Sequence, residues 1–231
     1  MKIFKLNIAL LCALILLSGC GSMNNTTKGG LIGAGGGAAL GALAGRLIGG
    51  NGKGTAIGAA IGTAVGTTAG VLIGKKMDKA KAEAEAIANA QVESVTDANG
   101  LQAVKVTFDS GILFATNKAD LNAAAKVSLK DFAGVLNNYA DTDVAIIGHT
   151  DNTGSDAINN PLSLRRAQSV EAYLKSCGVS VNQIASVEGK GSTEPIADNS
   201  TSAGRTQNRR VEVYMYASPE MINAANAGTL K

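Results

Sequence analysis

The sequence predicts an α/β fold, a two-layer domain of sheet packed on helices over residues 95–217. A glycine-rich helical hairpin and a cleaved export signal precede it. Three observations carry this. Short apolar runs with strand periodicity alternate with helix-period segments in the second half, the pattern of an α/β layer. Glycine recurs at every fourth position through residues 29–74, and a short uncharged apolar run follows two lysines at the start.

Lys2 and Lys5 precede an apolar run over residues 6–17, too short to span a bilayer and of secretory-signal form. The run ends Leu17-Ser18-Gly19-Cys20, which resembles the lipobox of bacterial lipoproteins. That resemblance implies that residues 1–19 are a cleaved lipoprotein signal peptide, and that Cys20 carries a diacylglycerol on sulfur and an acyl chain on its new amine. With Gly21 rather than Asp next, it also implies delivery to the outer membrane. Several acyl chains anchor stably where one would not. An ordinary signal that happens to end in Cys is the plainer alternative. Residues 20–28 are then a lipidated tether.

From residue 29 to 74 the glycines form two series, 29, 33, 37, 41, 45, 49 and then 50, 54, 58, 62, 66, 70, 74. The intervening residues are mostly Ala, Leu, Ile, Val and Thr, and the charges inside, Arg46 and Lys53, flank a Gly49-Gly50-Asn51-Gly52 turn signal. Two helices of about 20 residues follow, each about 30 Å long, the thickness of a hydrocarbon core. Each glycine costs a helix about 1 kcal/mol relative to Ala in water, so packing or lipid must compensate. Small residues at i and i+4 let helix backbones approach closely, and a period of 4 favours a right-handed crossing. The segment resembles the glycine zippers that precede cell-wall-binding domains in envelope lipoproteins. A membrane-inserted or oligomerising hairpin, a soluble self-packed zipper and a flexible tether all remain open. Residues 75–94, with Lys-Ala-Lys-Ala-Glu-Ala-Glu-Ala at their centre, read as a solvated helical spacer up to ~28 Å long.

In the domain, Val95 and Thr96, a turn at residues 97–100, and alternating Val104, Val106 and Phe108 predict a first hairpin. Helix-period positions follow at Leu121, Ala125, Leu129, Phe132, Leu136 and Tyr139. The apolar run 143–148 reads as a buried strand. The next helix is expected to be capped by Asn160, with Pro161 in its first turn and Gly178 just past its end. Residues 186–188 make a short strand. In the last one, Val211, Val213 and Met215 alternate with Glu212, Tyr214 and Tyr216. The remaining residues, 218–231, read as a polar tail without a functional signal.

Asp151 just past a strand and Arg166 about two turns into the next helix place an acid and a base where α/β layers collect ligands. A carboxylate can pair an ammonium and a guanidinium fork a carboxylate, so the two together suit a zwitterion. Taken alone, these two residues read as bonded to each other and to the loop between them. The wider pattern comprises Gly148-His149-Thr150-Asp151, Gly154, Asn159, Leu162-Ser163, Arg166-Ala167, Val170, Pro195-Ile196 and Asn208-Arg209-Arg210-Val211. In that order and spacing it resembles the OmpA-like peptidoglycan-binding domain, and the whole chain resembles OmpA-family outer-membrane lipoproteins. The resemblance implies that the ligand is diaminopimelate of the peptidoglycan stem peptide. It implies Asp151 and Arg166 as principal contacts, with Asn159, Thr150, Arg209 and Asn117 supporting them, and Arg205, Asn208 and Arg210 outside the site. It also implies a periplasmic domain whose partners are peptidoglycan, outer-membrane lipid and, through the zipper, further copies of the chain.

Composition narrows the remaining classes. Of 21 basic residues Lys2 and Lys5 leave with the signal, so 19 face 18 acidic ones. A nearly neutral chain with 3% aromatics lacks the footprint of a nucleic-acid binder. Cys12 leaves with the signal and Cys20 is expected to carry lipid, so Cys177 remains, read as a small buried thiol at a helix end. No metal, cofactor or catalytic residue is expected. The single His149, beside Asp151 and near Ser155 and Ser163, has no second His and no nucleophile-elbow context, so a hydrolase is the weaker reading. The zipper lacks the carboxylate that a proton-driven stator would need in its membrane helix.

Overall fold

The computed structural model describes residues 67–97, 99–115 and 117–230. The expected signal peptide, lipid site, tether and hairpin up to residue 66 lie outside them. The elements are α1 (Thr67–Glu85), β1 (Ala90–Thr96), β2 (Gln102–Asp109), α2 (Ser110–Leu113), α3 (Ala123–Asn138), β3 (Thr142–Gly148), α4 (Asp156–Ser176), β4 (Ile184–Gly189), α5 (Ser202–Asn208), β5 (Arg210–Ala217) and α6 (Pro219–Asn226). The five strands form one sheet in the order β1-β2-β5-β3-β4, antiparallel except for the β3–β4 pair.

Alternation puts Val104, Val106, Phe108, Val144, Ile146, Val211, Val213 and Met215 on the sheet face that meets the helices. Against them lie Leu129, Phe132 and Leu136 of α3 and Ala167, Val170 and Leu174 of α4. Phe108 meets Phe132 edge-on at 5.8 Å. The expected two-layer α/β fold is the observed one. β5 sits at the centre of the sheet, so its polar side is buried too. There Arg210 Nε donates to Glu212 at 2.6 Å, and the Tyr214 hydroxyl donates to the same carboxylate at 2.7 Å.

Three local expectations need correction. Residues 75–94 are not a solvated spacer. The helix runs unbroken across the expected boundary at residue 74, and its stripe Ala69, Ile73, Met77, Ala80 and Ala84 is buried in the domain core. Lys76 reaches Asp141 at 2.6 Å, and the Tyr139 hydroxyl donates to Glu83 at 2.7 Å. Burial and that carboxylate push the Tyr139 pKa up to about 12. β1 then begins at Ala90 rather than residue 95. The tail is not featureless either, because Ser218 caps α6 through Met221 N, and Met221, Ile222 and Ala225 pack into the core. Finally, α4 starts a turn earlier than Asn160, at Asp156, which leaves Pro161 inside the helix. The proline is exposed and deprives the Ala157 carbonyl of its helical donor. Gly178, at φ +97, ends α4 as expected, with Val179 N bonded to Leu174 O and Gly178 N to Lys175 O.

Candidate functional site

The site is built where α4 lies flat on the ends of β3 and β4. A Cβ on Gly148 would stand 2.1 Å from the Ser163 carbonyl oxygen, and one on Gly189 would stand 2.4 Å from Leu164 N. Both obstacles are helix backbone, so only glycine allows this approach. Ser163 completes the seam, donating to Asn160 O at 2.9 Å and accepting from Gly191 N at 2.9 Å. The result is that Arg166, one turn further along α4, faces the loop that leaves β3 with Asp151.

Asp151 is 5% exposed at its side chain. One oxygen accepts from Thr153 N at 2.8 Å and from the Thr153 hydroxyl. The other accepts from Arg209 Nη1 at 2.6 Å. Burial alone would raise the pKa of this carboxyl, but Thr153 and Arg209 outweigh burial and hold it below its ordinary value. Arg209, between α5 and β5, is 36% exposed and also donates from Nη2 to Thr206 Oγ1 at 2.8 Å.

Arg166 is 4% exposed. Its Nε donates to the Lys118 carbonyl at 3.0 Å, and its guanidinium lies over the Phe114 ring, 5.2 Å from the centroid. Among the described residues no carboxylate pairs with it, and its two terminal nitrogens hold no partner. Burial and the neighbouring Arg209 charge both lower its pKa, against the pull of Asp151. A buried cation that no carboxylate pairs directly is expensive for a fold.

Asp151 and Arg166 are thus brought together without bonding each other, and the partner of Asp151 is Arg209. Thr150 is buried, with its amide on Gly191 O at 2.8 Å and its hydroxyl without a partner. Asn159 is also buried and braces the loop, donating to Asp151 O at 3.3 Å and Gly154 O at 3.4 Å. Asn117 is exposed at φ +57, beside the Lys118 carbonyl that holds Arg166. Arg205 and Asn208 serve the loop over residues 196–200, and Arg210 pairs with Glu212. His149 is 1% exposed, its Nε2 3.5 Å from Glu212. Phe114, Lys118 and Thr153 escaped the sequence reading. Only Thr153 had a signal there, the two-residue Asx-turn spacing from Asp151.

Comparison with known proteins agrees with this fold. Residues 113–209 match the OmpA family, and residues 1–78 match the YMGG-like Gly-zipper. The chain is 44% identical over 111 residues to the peptidoglycan-binding protein ArfA of Mycobacterium tuberculosis, covering 48% of this chain and 34% of ArfA. It is 44% identical over 108 residues to "Probable lipoprotein YiaD" of Escherichia coli K12, covering 47% and 46%. It therefore spans less than half the length of either relative. The solved cell wall anchor of the T6SS from Pseudomonas aeruginosa superposes with a TM-score of 0.51 at 27% identity, over 62% of this chain and 97% of that one. Over residues 113–209 the chain is similar to the OmpA family, and over residues 1–78 to the YMGG-like Gly-zipper.

Proposed function

We propose that this chain binds peptidoglycan without covalent bonds and tethers the outer membrane to the wall. Asp151 takes the ammonium of a stem-peptide diaminopimelate and Arg166 takes its carboxylate, while acyl chains on Cys20 hold the other end. The observation that carries this is the buried Arg166 guanidinium, preset by Phe114 and Lys118 and facing Asp151 with no ion pair of its own among the described residues. Thr150 supplies a buried hydroxyl at the same place, and Arg209, Asn159 and Asn117 shape the rim. The identity to a peptidoglycan-binding protein and to a lipoprotein supports the same reading. The role is binding, with no reaction assigned. Many copies in one membrane face one polymer, so weak single contacts add up.

Retention on diaminopimelate-containing sacculi tests it. Arg166→Ala and Asp151→Ala each remove a charge-assisted contact and are expected to cut retention about ten-fold. Unchanged retention in both overturns the assignment. A second reading makes the zipper the working part, an oligomer or pore-like assembly that the domain only moors, and the Gly-zipper match over residues 1–78 favours it. Detergent-extracted particles of monomer size count against that reading.

A further inference from the structure

The site holds two guanidinium groups and one carboxylate. Arg166 and Asp151 suffice for the zwitterionic end of a diamino acid, so one positive charge, that of Arg209, is left over once such a ligand is bound. In the free protein Arg209 rests on Asp151 Oδ2, the oxygen that a ligand ammonium would seek, since Oδ1 is already filled by Thr153. The charges bearing on Arg166 are those of Arg209 and Asp151, and the coulombic partner of Asp151 is Arg209, so the three behave as one set carrying +1. Arg209 differs from Arg166 in freedom. It is 36% exposed and held on its far side by Thr206 Oγ1, whereas Arg166 is buried, stacked on Phe114 and tied to Lys118.

We propose that Arg209 is a specificity residue that selects stem peptides ending at the diamino acid, releasing Asp151 to the incoming ammonium and pairing with the second carboxylate that only such an end carries. This rests on the peptidoglycan reading above. A stem that continues past the diamino acid has that carboxyl locked in an amide and presents a net-neutral end. A stem that stops there presents one ammonium and two carboxylates, net −1, the complement of the site. Binding then exchanges one ion pair, Asp151 with Arg209, for three: ammonium with Asp151, one carboxylate with Arg166 and the other with Arg209. The protein surface reads where the wall has been trimmed back to the diamino acid.

The test is titration calorimetry of the full chain in detergent micelles with the tripeptide L-Ala-γ-D-Glu-meso-diaminopimelate and with the same tripeptide amidated at its backbone C-terminal carboxyl. For the wild type the acid is expected to bind roughly five-fold tighter than the amide, the upper range for a partly exposed pair. Arg209→Gln is expected to bring the two ligands within about two-fold of each other. Equal binding of acid and amide by the wild type overturns this inference and leaves the peptidoglycan reading standing. A preference that survives in Arg209→Gln assigns the second carboxylate to another residue and overturns it as well. Binding of neither peptide by the wild type overturns the reading beneath it.

Discussion

Replacing Gly148 with alanine tests how the fold sets the distance between Asp151 and Arg166. The added Cβ would lie 2.1 Å from Ser163 O and 2.9 Å from Ser163 C, both backbone atoms of α4, so no rotamer change relieves the contact. Real Cβ atoms do not approach so closely, and α4 must lift from the end of β3. Overpacking of this kind costs about 1–3 kcal/mol, and rigid backbone puts this case near 3 kcal/mol. For a domain of this size that lowers Tm by roughly 10 °C. Gly134 on α3 is the matched control. A Cβ there meets nothing within 4 Å, so Gly134→Ala gains up to about 1 kcal/mol of helix propensity. Urea unfolding followed by circular dichroism reads both, as a shift in midpoint at constant slope. Lifting α4 also carries Arg166 away from Asp151, so retention on sacculi falls even under conditions where the variant is fully folded. A Gly148→Ala protein within 0.5 kcal/mol of the wild type would refute the close approach of helix and strand.

Two further perturbations test the packing and the electrostatics. Met77→Ala empties a fully buried position under α1 and is expected to cost about 3 kcal/mol in the same urea titration. A cost below 0.5 kcal/mol would mean that residues 67–85 are a spacer after all. Burial pushes the Asp97 carboxyl up to about 6 from 3.8, so the folded chain holds this proton more tightly than the unfolded one. Its contribution to stability is therefore full below about pH 4 and is lost as pH rises through 6. Asp143, raised to about 6 by burial and then by Glu220, acts in the same direction. Asp97→Asn keeps an acceptor for Leu101 N and Asn99 N, so its Tm is expected to match the wild type near pH 4 and to exceed it above 6.5. A gap that does not change with pH contradicts the raised pKa.

The strands and the two central helices were legible because their apolar periods are plain, as in the alternation of β5 or the Leu129, Phe132, Leu136 face of α3. The candidate site was legible as residue types in order, since Asp151 and Arg166 stand near in sequence and flank one strand-to-helix connection. What held them was not. The ion pair of Asp151 with Arg209 joins residues 58 apart, and the Lys118 carbonyl under Arg166 lies 48 residues away. Neither has a local signal. The inner stripe of α1 is mostly alanine and continues the small-residue period of the zipper, which hid its burial. Pro161 pointed to a helix start, but an exposed proline in a long helix loses one hydrogen bond and little else, and the packing of α4 over Gly148 and Gly189 outweighed it. In α6 the Ser218-Pro219 start was readable, and the alanines and asparagines after it masked the buried Met221 and Ile222.

The most direct measurement is a crystal structure of the chain with meso-diaminopimelate bound. The ligand carboxylate is expected on the two terminal nitrogens of Arg166 and the ammonium on Asp151, with Phe114 still beneath the guanidinium. A ligand seated elsewhere, with Arg166 still lacking an anion, would contradict the assignment of this site.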